Sequence, residues 1–294
     1  MNFYTLSTLK SNFALHYQFP KILYRFPKLI GFVFLFNRLF QLRSWYIHKA
    51  WVPILKQSAS ASTVIDIGTG EGQFIIPYCN MFPNTHFIAI DQNQSCIQWM
   101  GKYPLSNLAP TCLNIEKETN QYNADIAICV GVLQYIQDDQ QALKNIFNML
   151  KPNAIFLLYT PINGHIRTNI FRYISNYFPN YETVNKRKRV YLESEILFKL
   201  EESGFKLASK QYTYGYFGTL SYEWFTSCSI LIYSGNIVLK ILALIIFILI
   251  FPVILLFMVI DFLLPLKNGN GLLIIAKKSD AHAFKIDLNQ AKEY

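Results

Sequence analysis

Short apolar runs alternate with helical segments through the middle of the chain. Segments of helical character begin at Gly72 and span 93–101 and 139–149. Five runs between and beside them have the length of a strand and are almost continuously apolar: TVIDI at 63–67, HFIAID at 86–91, TCLNI at 111–115, ADIAICV at 124–130 and NAIFLLY at 153–159. Such strands are typical of a parallel sheet covered by helices on both faces. The pattern therefore predicts a doubly wound α/β domain.

Two further strands are predicted on either side of a long apolar segment. A helix at 193–203 is followed by FKLASKQYTY at 205–214, and GLLIIAKK at 271–278 is the last strand-like run. Between them lies ILALIIFILIFPVILLFMVI at 241–260, which contains no polar side chain. At about 1.5 Å per residue, a helix of this length matches the hydrocarbon thickness of a bilayer.

The apolar segment must return to its starting side if 271–278 completes the sheet. A single crossing would leave this strand across the bilayer from the rest of the domain. The connection therefore needs two crossings or a re-entrant hairpin. The sequence has two positions at which a helix could be interrupted and the chain could turn back. They are Ser234-Gly235-Asn236, and Pro252, which divides the apolar run into halves too short to span a bilayer alone. We expect a hairpin that dips into one leaflet, with Asp261 at the interface. The alternative is a transmembrane anchor that leaves 271–278 outside the sheet.

The N-terminal segment is basic and aromatic. Residues 1–65 contain eight Lys or Arg and no acidic residue. The uncharged stretch at 29–36 is too short to span a bilayer, so an interfacial helix is predicted. Basic residues here alternate with bulky apolar side chains, which favours an anionic lipid surface over nucleic acid for this chain of net charge +9. A mitochondrial transit peptide fits less well, because the segment is too apolar and has little Ser.

Cysteine and histidine positions follow no disulfide or metal pattern. The five cysteines include no CxxC pair and are interpreted as reduced core residues. Reduced cysteines favour the cytoplasmic face of a membrane, and export by a cleaved signal is not expected because no signal pattern opens the sequence. No metal is expected, because most histidines are scattered without paired spacing: His16, His48, His86 and His282.

Three glycines follow the first strand in the stretch VIDIGTGEGQF. Gly68, Gly70 and Gly72 allow the backbone to turn sharply and to present its amides to a ligand. A dinucleotide-binding loop would be GxGxxG, with its third glycine at the position of Gln73. Asp91 ends the second strand, where a carboxylate can accept both hydroxyls of a ribose. Together these residues predict a nucleoside site, and nicotinamide cofactors stay open at this point.

Several segments resemble the class I S-adenosylmethionine-dependent methyltransferases, over roughly residues 60–222 and 270–278. The matching pieces are VIDIGTGEGQ, FIAIDQN, LNIEKE, ADIAICVGVLQYIQD, QQALKNIFNMLKP and the ESGF that ends the late helix. The resemblance implies a seven-stranded, mostly parallel sheet whose last strand runs antiparallel between the fifth and the sixth. It also implies S-adenosylmethionine as the cofactor.

The resemblance assigns cofactor contacts to the first two strands. Asp66, Thr69 and the Gly68, Gly70 and Gly72 backbone would hold the methionine portion. Asp91, with Gln92 beside it, would hold the ribose.

The remaining expected cofactor contacts follow the third and fourth strands. Asn114 stands where many relatives have Asp, so the adenine amino group is expected to meet an amide here or to contact Glu116 instead. Ile115, Val130 and Gly131 complete the expected set.

Two residues are candidate acid-base groups on the acceptor side. Methyl transfer from a sulfonium is an in-line displacement, so a base is needed only when the acceptor must lose a proton. His165 lies in the loop TPINGHIRTN after the fifth strand, at the edge where open α/β sheets bind ligands. Gln134 and Tyr135 stand where relatives often have a Glu-His pair, and Tyr135 could donate to the acceptor. A surface histidine and a packing tyrosine are the structural alternatives.

These features predict a membrane-associated methyltransferase that acts, preferably on oxygen, on a hydrophobic acceptor such as a quinone precursor, a fatty-acid-derived pigment or a lipid headgroup. The alternatives are a membrane-tethered protein that binds the cofactor without turnover, a nicotinamide oxidoreductase, and an enzyme for a water-soluble acceptor. The predicted organisation is an interfacial segment at 1–58, a core at 59–224, an apolar insertion at 225–268, the last core strand at 269–279 and a tail at 280–294.

Overall fold

The fold was analysed in a computed structural model that describes residues 27–58, 62–103, 105–178, 189–232 and 236–279. The first half of the predicted interfacial segment, most of the basic run at 185–189 and the predicted tail lie outside the described residues. The helices are α1 Pro27–Leu39, α2 Leu42–Gln57, α3 Ile76–Met81, α4 Gln94–Met100, α5 Asp139–Met149, α6 Asn169–Tyr177, α7 Glu193–Glu202, α8 Tyr216–Ile232 and α9 Ile237–Leu263.

Seven strands form a single sheet in the order β3-β2-β1-β4-β5-β7-β6. Strands β1 to β5 pair in parallel, whereas β7 is antiparallel to both β5 and β6. The predicted seven-stranded sheet, with its antiparallel last strand between the fifth and sixth, is confirmed. The strands are β1 Thr63–Ile67, β2 His86–Asp91, β3 Leu108–Cys112, β4 Ala124–Val130, β5 Leu150–Pro161, β6 Phe205–Thr213 and β7 Gly271–Lys278.

Helices cover both faces of the sheet, as continuous apolar strands require. On one face, Ile65 and Ile67 of β1 pack in a cluster that includes α5 and α7. On the other face, Val64 packs with Trp51 of α2 and with side chains of α3 and α4. The N-terminal segment therefore contributes α2 to the core of the domain as well as the predicted surface helix.

Two local boundaries differ from the prediction. Strand β3 is Leu108–Cys112 instead of 111–115, because its partner β2 ends at Asp91, which is paired with Cys112. Pro110 is accommodated because β3 is an edge strand. Helix α3 begins at Ile76 and not at Gly72, whose positive φ of 88° is incompatible with a right-handed helix.

The apolar insertion is an antiparallel pair of helices, α8 and α9. Phe217 near the start of α8 packs on Phe257 near the end of α9, and Phe225 packs on Phe247. The pair leaves the sheet after β6 and returns to it at β7, so the predicted hairpin before the last strand is present. The alternative that placed 271–278 outside the sheet is wrong, since these residues form β7.

The prediction that Pro252 divides the apolar run is wrong. Pro252 lies inside α9, a continuous helix of 27 residues, and α8 ends at Ile232 while α9 begins at Ile237. Asp261 is also not at an interface with lipid. Its side chain is fully buried at the base of the hairpin, where it accepts hydrogen bonds from the Gly218 amide and the Tyr46 hydroxyl.

Candidate active site

The glycine loop leaves β1 at the carboxyl edge of the sheet. The Gly68 and Thr69 amides donate to the Ile90 carbonyl of β2, at 2.8 and 3.0 Å. Gly68 has φ of +67°, and a Cβ there would lie 2.4 Å from Cγ2 of Val132. Gly70 also has positive φ, but a Cβ there would meet nothing within 4 Å. Gly68 therefore allows the turn, whereas Gly70 faces open space that a ligand can fill.

Asp91 connects the glycine loop to the end of β2. Its Oδ2 accepts from the Gly70 amide at 2.8 Å, and its Oδ1 accepts from the Asn93 amide at 2.8 Å. A carboxylate oxygen has two lone pairs, so each oxygen can accept one more hydrogen bond, as from a ribose hydroxyl. The glycine loop and Asp91, both predicted from the sequence, are thus linked directly by a hydrogen bond. Gln92 follows Asp91 and is exposed.

Asp66 is buried at the end of β1 with only 2% of its surface exposed. Its Oδ2 and the Thr69 hydroxyl oxygen have no hydrogen-bond partner within the described residues. Burial raises the pKa of Asp66 to about 7, and the negative charge of Asp91 adds to this rise. A buried carboxylate oxygen without a donor is rare in proteins, and a ligand ammonium group would satisfy it.

The turn after β4 is fixed by Gln134. The Gly131 amide donates to the Tyr159 carbonyl at 2.8 Å, and Nε2 of Gln134 donates to the Gly131 carbonyl at 2.9 Å. Oε1 of Gln134 is buried and has no partner in the part of the chain described here. Val130, the last residue of β4, is also buried. The amide that replaces the usual Glu therefore has a structural role in this turn.

The loop after β3 is also tied to the β4 turn. Oδ1 of Asn114 accepts from the Glu116 amide at 3.0 Å, and Oε1 of Glu116 accepts from the Gln137 amide at 2.7 Å. Ile115 is buried between them. An adenine contact by Asn114 or Glu116 stays a prediction.

The two candidate acid-base residues lie in different surroundings. His165 is exposed, and its backbone amide and carbonyl bond with the Asn270 side chain, both at 3.1 Å. Its loop is thereby attached to the residue preceding β7. Tyr135 ends a short 3-10 turn, Leu133–Tyr135, and its side chain is 39% exposed. Both residues stay predictions as catalytic groups.

Helix α2 covers the glycine loop, which sequence analysis did not predict. Nε2 of Gln73 donates to Oε1 of Gln41 at 2.7 Å and to Oγ of Ser44 at 3.2 Å. The guanidinium of Arg43 lies 5.7 Å from the ring centre of Phe74. The glycine motif gave no signal for these contacts, because they join segments about thirty residues apart.

Arg43 places a positive charge beside the ends of β4 and β5. Its guanidinium is 5.9 Å from the ring centre of Tyr159, and its Nη1 would be 3.0 Å from a Cβ on Gly131. It makes no ion pair with any carboxylate of the described residues. The site thus combines one buried carboxylate with one guanidinium that is open to an anionic partner.

A family model for a methyltransferase domain matches residues 58–207, half of the chain. The chain belongs to the methyltransferase domain family. Malonyl-[acyl-carrier protein] O-methyltransferase of Bacillus anthracis is 28% identical to this methyltransferase over 107 residues, 36% of this chain and 40% of the relative. Ubiquinone biosynthesis O-methyltransferase of Rickettsia akari is 25% identical over 146 residues, 49% of this chain and 57% of the relative. The matched region thus spans less than two thirds of either relative.

Solved structures show the same fold. Phosphoethanolamine N-methyltransferase 2 of Haemonchus contortus, in complex with phosphomonomethylethanolamine and S-adenosylhomocysteine, has a TM-score of 0.54 and 14% identity. The similarity covers 80% of this chain and 53% of that one. Identity this low establishes the fold of the methyltransferase and nothing about its substrate.

S-adenosylmethionine is the cofactor of the family, and the site fits it. The open space at Gly70 accommodates a ligand against the backbone, and Asp91 retains acceptor capacity for a ribose. Asp66 lacks a donor, which the ammonium of a methionine portion would provide. Arg43 offers a complementary cation for the carboxylate of that portion.

Proposed function

We propose that this protein transfers a methyl group from S-adenosylmethionine, preferably to an oxygen atom, on a hydrophobic acceptor that resides in a membrane. The observation that carries the proposal is that the apolar hairpin leaves the sheet at the same edge as the cofactor site. The proposal includes an arrangement in which the core sits on the cytoplasmic face and the hairpin and helix α1 enter one leaflet.

The pairing of the strands places the base of the hairpin at the carboxyl edge. Strand β6 ends at Thr213, β7 begins at Gly271, and these two residues are paired. Gly271 is also paired with Pro161 at the end of β5. The glycine loop and Asp91 follow the ends of β1 and β2, which run parallel to β5. An acceptor held among lipids beside the hairpin would thus lie on the side where the donor binds.

The outer surface of the hairpin is apolar except for Asn236 and Lys240 at the start of α9, and it carries no exposed acid. Glu223 and Asp261 are the two acidic residues between 204 and 279, and both are buried. Helix α9 is long and apolar enough to cross a membrane, and only 17% of its most apolar stretch of 18 residues is buried. Large exposed apolar surfaces on a folded domain mark contact with lipid or another protein. Its most exposed apolar residues are Ile237, Val238, Ile241, Leu242, Ile248, Leu249, Leu256 and Leu263.

Helix α1 extends this apolar surface. Phe32 and Phe36 are 68% and 49% exposed, and Leu39 is 53% exposed. Phe40 packs on Phe251 of α9, with ring centres 4.9 Å apart. The shared apolar surface on α1 and α9 supports contact of both helices with the same membrane.

The chain's own residues would position the reactants and exclude water. When bound, S-adenosylmethionine supplies a methyl group on a positively charged sulfur, which is open to in-line attack. Asp66 and Arg43 would orient the methionine portion by opposite charges, and Asp91 would hold the ribose. Helix α2 would shield the loop from solvent through its contacts with Gln73.

Oxygen is the preferred acceptor atom for two reasons. Two named relatives are O-methyltransferases, one of them in ubiquinone biosynthesis. A carboxylate is already ionised at neutral pH, and a phenol or an acidic enol loses its proton far more readily than an alcohol, so such acceptors need less help from a base. His165 and Tyr135 are the proposed proton-transfer groups where the acceptor does need such help.

The test is transfer of a labelled methyl group into lipid. Membranes from cells that produce the protein, and matched membranes that lack it, are incubated with labelled donor and extracted with organic solvent. We expect label in the lipid extract with the protein, and none with the Asp91→Ala variant. Label confined to water-soluble products would contradict a membrane acceptor. Normal donor binding without product in either phase would support the binding protein without turnover.

A further inference from the structure

Helix α6 carries an exposed apolar stripe that belongs neither to the core nor to the hairpin. Ile166, just before the helix, is 44% exposed, and Ile170, Tyr173 and Tyr177 are 66%, 71% and 69% exposed. Ile170, Tyr173 and Tyr177 lie within the helix, where their spacing of three and four residues places them on one side, and Ile166 lies in the loop that precedes them. The rings of Tyr173 and Tyr177 stack with centres 6.4 Å apart. We call these four residues the α6 stripe.

The helix is held firmly to the hairpin by a buried acid. Glu223 of α8 is 2% exposed, and its carboxylate accepts from the Arg167 amide, the Thr168 amide and the Thr168 hydroxyl, each at 2.7 Å. On the inner face, Phe171 is buried and packs against the ring of Tyr222 at 6.3 Å. The α6 stripe is therefore fixed relative to α8 and points away from it.

The surroundings of the stripe are basic. Arg167 and Arg172 are exposed, and the guanidinium of Arg167 lies 5.5 Å over the ring of Tyr216 at the start of α8. The sequence from 140 to 178 contains no Asp or Glu. Apolar side chains flanked by arginines complement the headgroup region of an anionic bilayer, where tyrosine is also enriched.

We propose that α6 lies on the anionic lipid headgroups as a second membrane contact, distinct from insertion of the hairpin. This inference rests on the proposed membrane association and specifies how the domain is oriented there. Because the loop containing His165 joins β5 to α6, docking of α6 would hold the acceptor side of the sheet against the bilayer surface. Tyrosine hydroxyls and arginines stay in contact with water and headgroups, so α6 lies at the bilayer surface and does not span the bilayer.

The first experiment measures flotation of the full chain with vesicles of phosphatidylcholine containing roughly a quarter phosphatidylglycerol, an anionic lipid. The variant is Ile170→Ser with Tyr173→Ser. The matched control is Leu192→Ser with Phe198→Ser, which removes side chains 56% and 60% exposed at α7. We expect about a tenfold weaker partition for the α6 variant and no change for the control, from the lost burial of two apolar groups.

The second experiment follows hydrogen exchange of peptides that cover α6 and α9, with anionic and with purely phosphatidylcholine vesicles. We expect α6 amides to be protected only by anionic vesicles, because docking suppresses fraying of a short helix. Protection of α9 with unchanged α6 would overturn this inference and leave the proposed function intact. Protection of neither helix would argue against membrane association itself. Protection of α6 by an acidic soluble protein, and not by vesicles, would assign the stripe to a protein partner.

Discussion

Asp66 has a carboxylate enclosed at the end of β1, and its ionisation depends on what occupies the site. Burial raises its pKa to about 7, from about 3.9 in an unfolded chain. The folded protein without ligand therefore binds this proton more tightly than the unfolded chain does. The contribution of Asp66 to stability is fully present below about pH 4 and is lost as pH rises towards 7.

The Asp66→Asn variant tests this coupling. Without bound cofactor, we expect the melting temperature of the variant to fall less steeply than that of the parent between about pH 4 and 7, because an amide does not ionise. Differential scanning fluorimetry over this range measures it. The matched control is Glu202→Gln, which changes an exposed carboxyl. Parallel pH profiles for the parent and Asp66→Asn would contradict the raised pKa.

Two glycines of the same loop should respond differently to alanine. Both have positive φ, which costs a non-glycine residue about 1 kcal/mol. At Gly68 the added methyl group also meets Val132, so we expect a large loss of stability. At Gly70 there is open space, so Gly70→Ala should fold and instead weaken binding of S-adenosylmethionine. Thermal melts and calorimetric titrations of both variants separate these effects, and equal donor affinity for Gly70→Ala and the parent would argue against a ligand at this position.

Asp91→Ala should remove the ribose contact and one support of the loop. Hydrogen bonds to a charged group contribute about 1.5–3 kcal/mol each, so we expect donor affinity to fall by at least about tenfold. Isothermal titration with S-adenosylhomocysteine measures the change. Asp91→Asn keeps one acceptor and should lie between the parent and alanine. If alanine leaves the affinity unchanged, the cofactor site is not at the end of β2.

At the scale of elements, α2 joins the cofactor loop to the hairpin. It contacts Gln73 through Gln41 and Ser44, and its Tyr46 hydroxyl donates to Oδ2 and to the backbone carbonyl of Asp261, at 2.9 and 2.8 Å. The Arg43 amide in turn donates to the Tyr214 hydroxyl at 3.0 Å. A displacement of the hairpin would therefore be transmitted to the glycine loop through helix α2.

Tyr46→Phe removes the hydroxyl from this junction and keeps the ring. We expect a loss of about 1–3 kcal/mol in unfolding free energy, because the buried Asp261 carboxylate loses a donor. Urea unfolding in mild detergent measures it. Tyr216→Phe is the control, since that side chain is 56% exposed. A variant as stable as the control would show that Asp261 does not depend on Tyr46.

The elements that could be predicted are those whose pattern is local. Strands β1 and β7 and helix α5 have the predicted bounds, because near-continuous apolar runs and a helix between clear breaks define them. Strand β3 was misplaced because its ends depend on the length of β2. The glycine loop and Asp91 were likewise found from a short motif. The role of Arg43 could not be predicted, since it depends on a contact with the distant residue Tyr159.

At the scale of the whole molecule, the proposed membrane association depends on the apolar hairpin. The double variant Ile245→Asp with Leu249→Asp places two charges on an exposed face of α9, where the parent side chains are 51% and 71% exposed. Each charge in hydrocarbon costs about 2.5–3.5 kcal/mol. We expect the variant to move from the membrane to the soluble fraction on centrifugation, with donor affinity unchanged. Leu207→Ser on β6 is the control, and a variant that stays with the membrane would contradict insertion of α9.

The position of the hairpin within the chain also sets an order of assembly. Strand β6 has β7 as its only neighbour in the described sheet, and β7 follows the hairpin in the chain. During synthesis, β6 therefore has no strand to pair with until the apolar helices α8 and α9 have emerged from the ribosome. A bilayer that captures α8 and α9 at that moment would bring β7 to its place between β5 and β6. Under the proposed insertion, completion of the sheet would be coupled to arrival at the membrane, and chains that miss the lipid would be left with an open sheet.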